Sequence, residues 1–237
     1  MPEQDCDNRS FWDHLEELRR CLIVMILGWL AGVLVCFPFS EAVIRHISRP
    51  VGQLVFLSPA EAFSVRITIA FFLGALFALP VWLYQIAAFL KDGLKKTEQT
   101  ILIRGCLLIV VMSLLGVLFA DLVLVPVSVK FLLGFSGPSL QPMISAAHYT
   151  GFYAGIMAAC CLVFNLPFVI IGLAWSGLVP ARWFAVYRRH MYIACIIFGA
   201  VMTPPDIVTQ VMIAFPLCAL YELSLWGAVL VSRRKKE

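Results

Sequence analysis

The chain has 237 residues, 62% apolar and 14% charged, with a mean hydropathy of +0.93. Soluble domains carry about 25% charged residues, so the composition excludes one and points to a polytopic membrane protein. The net charge of +4 does not indicate a nucleic-acid partner; its distribution along the chain reads as topology. Of the eight cysteines, Cys6 lies in the polar N-terminus and Cys21, Cys36, Cys106, Cys160, Cys161, Cys195 and Cys218 fall in apolar segments, with no C-x-x-C spacing. They read as small apolar packing residues, and no metal, disulfide framework or cofactor is expected. A cleavable signal peptide is not expected either, because the first apolar run is too long and no small-residue cleavage site follows it.

Residues 1–20 are polar. Within them Phe11 to Arg20 is densely charged, with Glu16 and Arg20 spaced for a helical salt bridge and Ser10 and Asp13 spaced as a weak capping box. Leu15, Leu18 and Leu22 give this helix one apolar stripe. The segment reads as a short amphipathic helix leading into the membrane. The first apolar run is Cys21 to Phe39, and residues 40–65 read as a long loop. The second run, Ile67 to Leu90, contains Pro80, and a compact charged loop from Lys91 to Arg104 follows. The third, Gly105 to Val129, contains Asp121 and Pro126; the fourth, Tyr149 to Trp175, contains Asn165 and Pro167. A basic loop, Arg182 to His190, precedes two runs that flank Thr203-Pro204-Pro205-Asp206. A Pro-Pro pair stops a helix, so a fifth helix is expected over about 189–203 and a sixth over about 206–231. The fifth would span only about 22 Å against a hydrocarbon core of roughly 30 Å.

The resulting expectation is an all-α protein with six transmembrane helices, the last two short, forming a single membrane domain over 1–237. Its parts are an amphipathic N-terminus at 1–20, a membrane core at 21–231 and a basic tail at 232–237. Six spans put both termini on one side. Fourteen of the eighteen basic residues share that side, and only Arg45, Arg49, Arg66 and Lys130 face the other. The positive-inside rule then makes both termini cytoplasmic.

No enzyme signature is present: the chain has no H-E-x-x-H, no G-x-S-x-G and no phosphate-binding loop. His14, His46, His148 and His190 fall at span ends or in loops and read as surface histidines. Gln85, Asp121, Asn165, Gln210 and Glu222 are the polar groups within or near spans. Such groups join helices or mark function, and Glu222, flanked by apolar neighbours, is the sharpest of them. Glu17 and Glu98 both face the cytoplasmic surface in basic surroundings. Arginine matches a carboxylate through two parallel hydrogen bonds, so two separated carboxylates could read two adjacent arginines of a ligand.

His14-Leu15-Glu16-Glu17-Leu18-Arg19-Arg20, Pro59-Ala60-Glu61-Ala62-Phe63, Pro80 through Gln85 with Phe89, Leu94 through Glu98, and Thr203-Pro204-Pro205-Asp206 with Gln210, Pro216 and Tyr221-Glu222 follow one another along the chain. In that order they resemble the TatC family, the receptor subunits of the twin-arginine protein translocase. The resemblance implies a protein of the bacterial cytoplasmic (inner) membrane. It would recognise twin-arginine signal peptides and support export of folded proteins driven by the proton-motive force. It would work with TatA- and TatB-like single-span subunits, in contact with membrane lipid and with further copies of itself. By position, Glu17 and Glu98 would contact the arginine pair, with Arg19, Lys96 and Phe89 shaping that surface. Thr203, Gln210 and Glu222 would contact a partner helix. The chain departs from the family pattern at Asp92-Gly93, at Gln99 and at Asn165, which stands where the family commonly has a glutamate. A secondary transporter of a small solute is the alternative from another class. It would favour an internal repeat and a polar midplane site; no repeat is visible, and the polar midplane residues are scattered.

Overall fold

The computed structural model describes residues 3–91, 96–137, 142–176, 179–202 and 207–234. The described residues are helical apart from short connections and one isolated parallel bridge between Val55 and Ser145. In chain order the helices are α1 (Glu3–Cys36), α2 (Ser40–Ile47), α3 (Pro59–Lys91), α4 (Lys96–Phe119), α5 (Val125–Leu133), α6 (Ala146–Val163), α7 (Leu166–Ser176), α8 (Ala181–Val186), α9 (Arg188–Met202) and α10 (Ile207–Arg234). Lipid offers the backbone no hydrogen-bond partners, so continuous helices are the way such apolar stretches satisfy their peptide groups.

Several sequence expectations change here. The first helix begins at Glu3 rather than at Ser10; acidic Glu3, Asp5 and Asp7 favour a helix start there, where the dipole is positive. The amphipathic segment and the first apolar run are therefore one helix. The stretch 40–65 is not all loop: α2 occupies Ser40–Ile47, and α3 starts at Pro59, a residue suited to a first helical turn. Most of the charged loop before the third run is the first part of α4, and α8 with the start of α9 takes up the basic loop at 182–190.

Prolines set the breaks. Pro38 lies in a 3-10 turn, Phe37–Phe39, that ends α1. Between α4 and α5 the chain widens into a π turn, Ala120–Leu124, which ends two residues before Pro126. The wider turn accommodates a ring that would clash with an α-helical carbonyl and a nitrogen that cannot donate. Pro167 follows the break at Phe164 and Asn165 that separates α6 from α7. Pro80 and Pro216 are carried inside α3 and α10.

Five stretches are long and apolar enough to cross a membrane: Leu15–Ile47, Pro59–Phe89, Leu102–Leu133, Ala146–Trp175 and Gln210–Val229. The chain is a multi-pass helical membrane protein. α9 has 15 residues and is short, as its sequence indicates. α10 has 28 residues, close to the 206–231 expected for the sixth helix, and its apolar stretch Gln210–Val229 is the shortest of the five at 20 residues. Past the proline pair its largely apolar run, holding Gln210 and Glu222, continues to the basic tail, and Pro216 does not end it. The turn at Thr203-Pro204-Pro205-Asp206 lies outside the described residues.

The chain packs as two compact units: residues 1–44 with 66–110, and 45–65 with 111–237. In the first unit, apolar side chains such as Leu34 (76% exposed) and Leu107 (67%) point outward, which suits lipid rather than water. In the second, Tyr221, Leu225 and Ala228 of α10 pack with Ile170 and Ala174 of α7 and Phe184 of α8. The Tyr221 hydroxyl is satisfied there by donating to the Phe184 carbonyl at 2.6 Å.

Candidate functional site

In the first unit, α1 and α3 run antiparallel in a register fixed by side-chain to backbone hydrogen bonds. The Cys21 thiol donates to the Gln85 carbonyl and side-chain oxygen, both at 3.8 Å. The Trp82 indole donates to the Met25 carbonyl at 2.9 Å, and the Trp29 indole to the Phe71 carbonyl at 3.1 Å. Near the far end of the pair Gly32 meets Gly74 with no room for a Cβ on either. Small residues let membrane helices approach this closely. α4 joins α3 where the Cys106 thiol donates to the Leu83 carbonyl at 3.7 Å.

This register sets out the residues singled out in the sequence. Glu17 lies one helical turn before Cys21, and Phe89 one turn beyond Gln85, so their backbones share one end of the α1–α3 pair. The start of α4 is at the same end, because Cys106 is level with Leu83 and α4 runs back from there to Lys96. Glu17 and Phe89 are both partly buried and engaged with neighbours. Arg19 is exposed and lines a surface groove with Glu16, Arg20, Ile23 and Val24. A second groove, lined by Tyr84, Ala88, Gln99 and Ile103, separates the end of α3 from the start of α4. Lys96 and Glu98 lie on the first turn of α4, and their side chains are outside the described residues.

In the second unit, Gln210 donates its amide to the Ile196 carbonyl at 3.3 Å, tying α10 to α9. Glu222 does the same near the middle of α10: the Tyr192 hydroxyl donates to one carboxylate oxygen, and Arg188 lies 3.6 Å from the other. Both side chains therefore have partners on α9 of the same chain. Thr203 lies outside the described residues. Asn165 donates its amide to Ser113 Oγ and to the Cys161 carbonyl, each at 2.7 Å, bridging the α6–α7 break to α4.

Two polar clusters were not apparent in the sequence. Glu61 accepts hydrogen bonds from Ser145 Oγ at 2.6 Å, the Ala147 amide at 2.9 Å and the Leu57 amide at 2.6 Å. Beside it, Val55 donates to the Ile144 carbonyl and accepts from the Ala146 amide. One carboxylate thus pins the loop before α3 to the start of α6. The second cluster centres on Asp121 in the π turn. Its oxygens accept from Tyr153 at 2.6 Å and pair with His46 Nε2 at 3.0 Å. His46 is exposed but not the isolated surface histidine the sequence implied. Nothing local reveals a partner 75 residues away; the only signal was a carboxylate placed inside an apolar run.

The described side chains show no group of three or more His, Cys, Asp or Glu that could hold a metal ion. Their polar clusters join helices and loops. The helices and their pairing define a multi-pass membrane protein. Residues 13–216 match the family profile described as Sec-independent protein translocase protein (TatC). Among curated relatives, the Sec-independent protein translocase protein TatC of Aquifex aeolicus is 33% identical over 233 residues, covering 95% of this chain and 97% of that protein. The protein of the same name from Carboxydothermus hydrogenoformans is 29% identical over 231 residues, covering 95% of each. A crystal structure of the twin arginine translocase receptor TatC superposes with a TM-score of 0.81 at 32% identity, over 92% of this chain and 99% of that one. The chain belongs to the TatC family.

Proposed function

We propose that the chain is the receptor subunit of a twin-arginine translocase and not an enzyme. It reads signal peptides carrying paired arginines at the cytoplasmic face of a bacterial inner membrane and supports export of folded proteins driven by the proton-motive force. In this reading α9 is a sixth, short span, both termini are cytoplasmic, and residues 1–237 act as one membrane domain. Partners are TatA- and TatB-like single-span subunits and further copies of the chain. Thr203, Gln210 and Glu222 mark the α9–α10 edge that receives a partner helix. For Gln210 and Glu222 that role is indirect, because holding α9 against α10 shapes the edge.

The observation that carries the reading is the α1–α3–α4 arrangement of the first unit, in a chain similar along nearly its whole length to proteins named for this translocase. It supports Glu17 and Glu98 as two carboxylates at one membrane surface, with Phe89, Arg19 and Lys96 around them. Guanidinium–carboxylate pairs are bidentate and charge-assisted. Each partly desolvated pair contributes roughly 1.5–3 kcal/mol, and less where water screens it.

The test is binding of a labelled signal peptide to the purified protein in nanodiscs, comparing an arginine pair with a lysine pair. The arginine peptide is expected to bind more tightly, and Glu17→Ala with Glu98→Ala to weaken it by about tenfold. Equal binding of both peptides, or no effect of the double variant in a protein that still folds, would refute the carboxylate clamp.

A further inference from the structure

The cluster around Asp121 borders a cavity of about 370 Å³ that the twin-arginine reading does not use. All of its lining belongs to the second unit. Its lining combines polar Arg49, His46, Asp121 and Tyr153 with apolar Leu122, Val125 and Pro126. Asp121 is already engaged on both oxygens, by Tyr153 and by His46. The Arg49 guanidinium, in contrast, has no partner among the described residues, and the residue is exposed. Among the described residues the cavity therefore offers an uncommitted cation, Arg49, beside a carboxylate that is bonded on both oxygens.

The position of these groups along the spans indicates the ligand. Arg49 lies two residues beyond the apolar stretch Leu15–Ile47, and basic residues flanking such a stretch favour the headgroup region. Leu122 and Val125 lie inside the span Leu102–Leu133, and Leu122 is 64% exposed. A small soluble anion would use the guanidinium and leave the apolar lining without a role. A molecule with a negative head and a hydrocarbon tail uses both.

We propose that this cavity binds an anionic glycerophospholipid. Its phosphate pairs with Arg49, its headgroup rests against His46, and an acyl chain lies along Leu122, Val125 and Pro126. The His46–Asp121–Tyr153 hydrogen bonds hold the polar lining in place, and the π turn presents Asp121 to it. The site is independent of signal-peptide recognition.

The test is lipid retention on the full chain, measured by native mass spectrometry after exchange into micelles containing phosphatidylglycerol or phosphatidylcholine, with free glycerol phosphate as competitor. Phosphatidylglycerol is expected to be retained in preference to phosphatidylcholine. Arg49→Gln should weaken its retention about fivefold, the worth of one basic contact to an anionic lipid. Arg49→Lys should keep most of the preference, and Arg182→Gln, outside the cavity, all of it. Each variant is compared after its monodispersity on gel filtration matches the parent. Equal retention of the two lipids, or an Arg49→Gln protein that retains phosphatidylglycerol like the parent, would overturn the proposal. Displacement by glycerol phosphate at concentrations equal to the lipid would also overturn it, since the site would then be one for a small anion without a tail.

Discussion

Gly32 and Gly74 meet backbone to backbone. A Cβ on Gly32 would lie 2.8 Å from the Gly74 carbonyl oxygen, and one on Gly74 would lie 2.7 Å from the Val33 amide nitrogen. Neither obstacle is a flexible side-chain tip, so any larger residue drives α1 away from α3. Overpacking of this kind costs about 1–3 kcal/mol. Gly74→Val is expected to lower the thermal unfolding midpoint in detergent and to weaken signal-peptide binding, because the same helix pair brings Glu17 and Phe89 to one end. Gly151→Val, where a Cβ meets nothing within 4 Å, serves as the control. An unchanged midpoint for Gly74→Val would show that the two helices do not approach this closely.

Glu61 holds two chain segments 84 residues apart through its hydrogen bonds to Ser145, Ala147 and Leu57. Glu61→Ala removes the acceptor for both amides at once. Hydrogen exchange should then accelerate at Leu57 and Ala147, while amides in the middle of α6 keep their protection. Glu61→Gln retains one acceptor oxygen and should show an intermediate effect. Exchange at Ala147 that stays at the parent rate in Glu61→Ala would remove the carboxylate from this role.

The sequence and the structure agree where local chemistry decides the outcome. The apolar runs and the proline pair after Met202 brought the last two helix boundaries to within a few residues of α9 and α10. The charged residues at the N-terminus of α4 resemble a loop in sequence, although a helix end facing water tolerates them. α2 is not legible in the sequence because its eight residues are too few to show a period. Within the candidate site, Glu17, Arg19 and Phe89 were legible as residue types near span ends. Their shared end depends on the α1–α3 register, set by Trp82, Trp29 and Gly74 far along the chain. The pairing of His46 with Asp121 was likewise invisible, because it depends on tertiary packing.

Asn165 donates both of its described hydrogen bonds, to Ser113 Oγ and to the Cys161 carbonyl. Its side-chain oxygen is buried without a partner among the described residues. Donation is therefore the role the site requires. Asn165→Ala should cost about 1 kcal/mol, the usual worth of a hydrogen bond between membrane helices. Asn165→Asp should cost more, because an ionised carboxylate cannot donate and would face the Cys161 carbonyl. Unfolding midpoints of the two variants in one detergent decide the order. An Asp variant more stable than the Ala variant would mean that the position accepts a charge.

Tyr192 and Arg188 both reach Glu222 from α9, the tyrosine by donating its hydroxyl and the arginine across 3.6 Å. The three groups act as one link, so their losses should not add. Glu222→Gln keeps an acceptor for Tyr192 but gives up the charge facing Arg188. Tyr192→Phe gives up the hydroxyl and leaves the ion pair. Each single change should lower the unfolding midpoint, and the double variant should fall by less than the sum. The α9–α10 edge offers a second readout. Loosening this link should reduce cross-linking of a partner helix to cysteines introduced along α10, even though Glu222 itself faces α9. Strictly additive losses would separate Tyr192 from Glu222, and full cross-linking in a destabilised double variant would separate the link from the partner-binding edge.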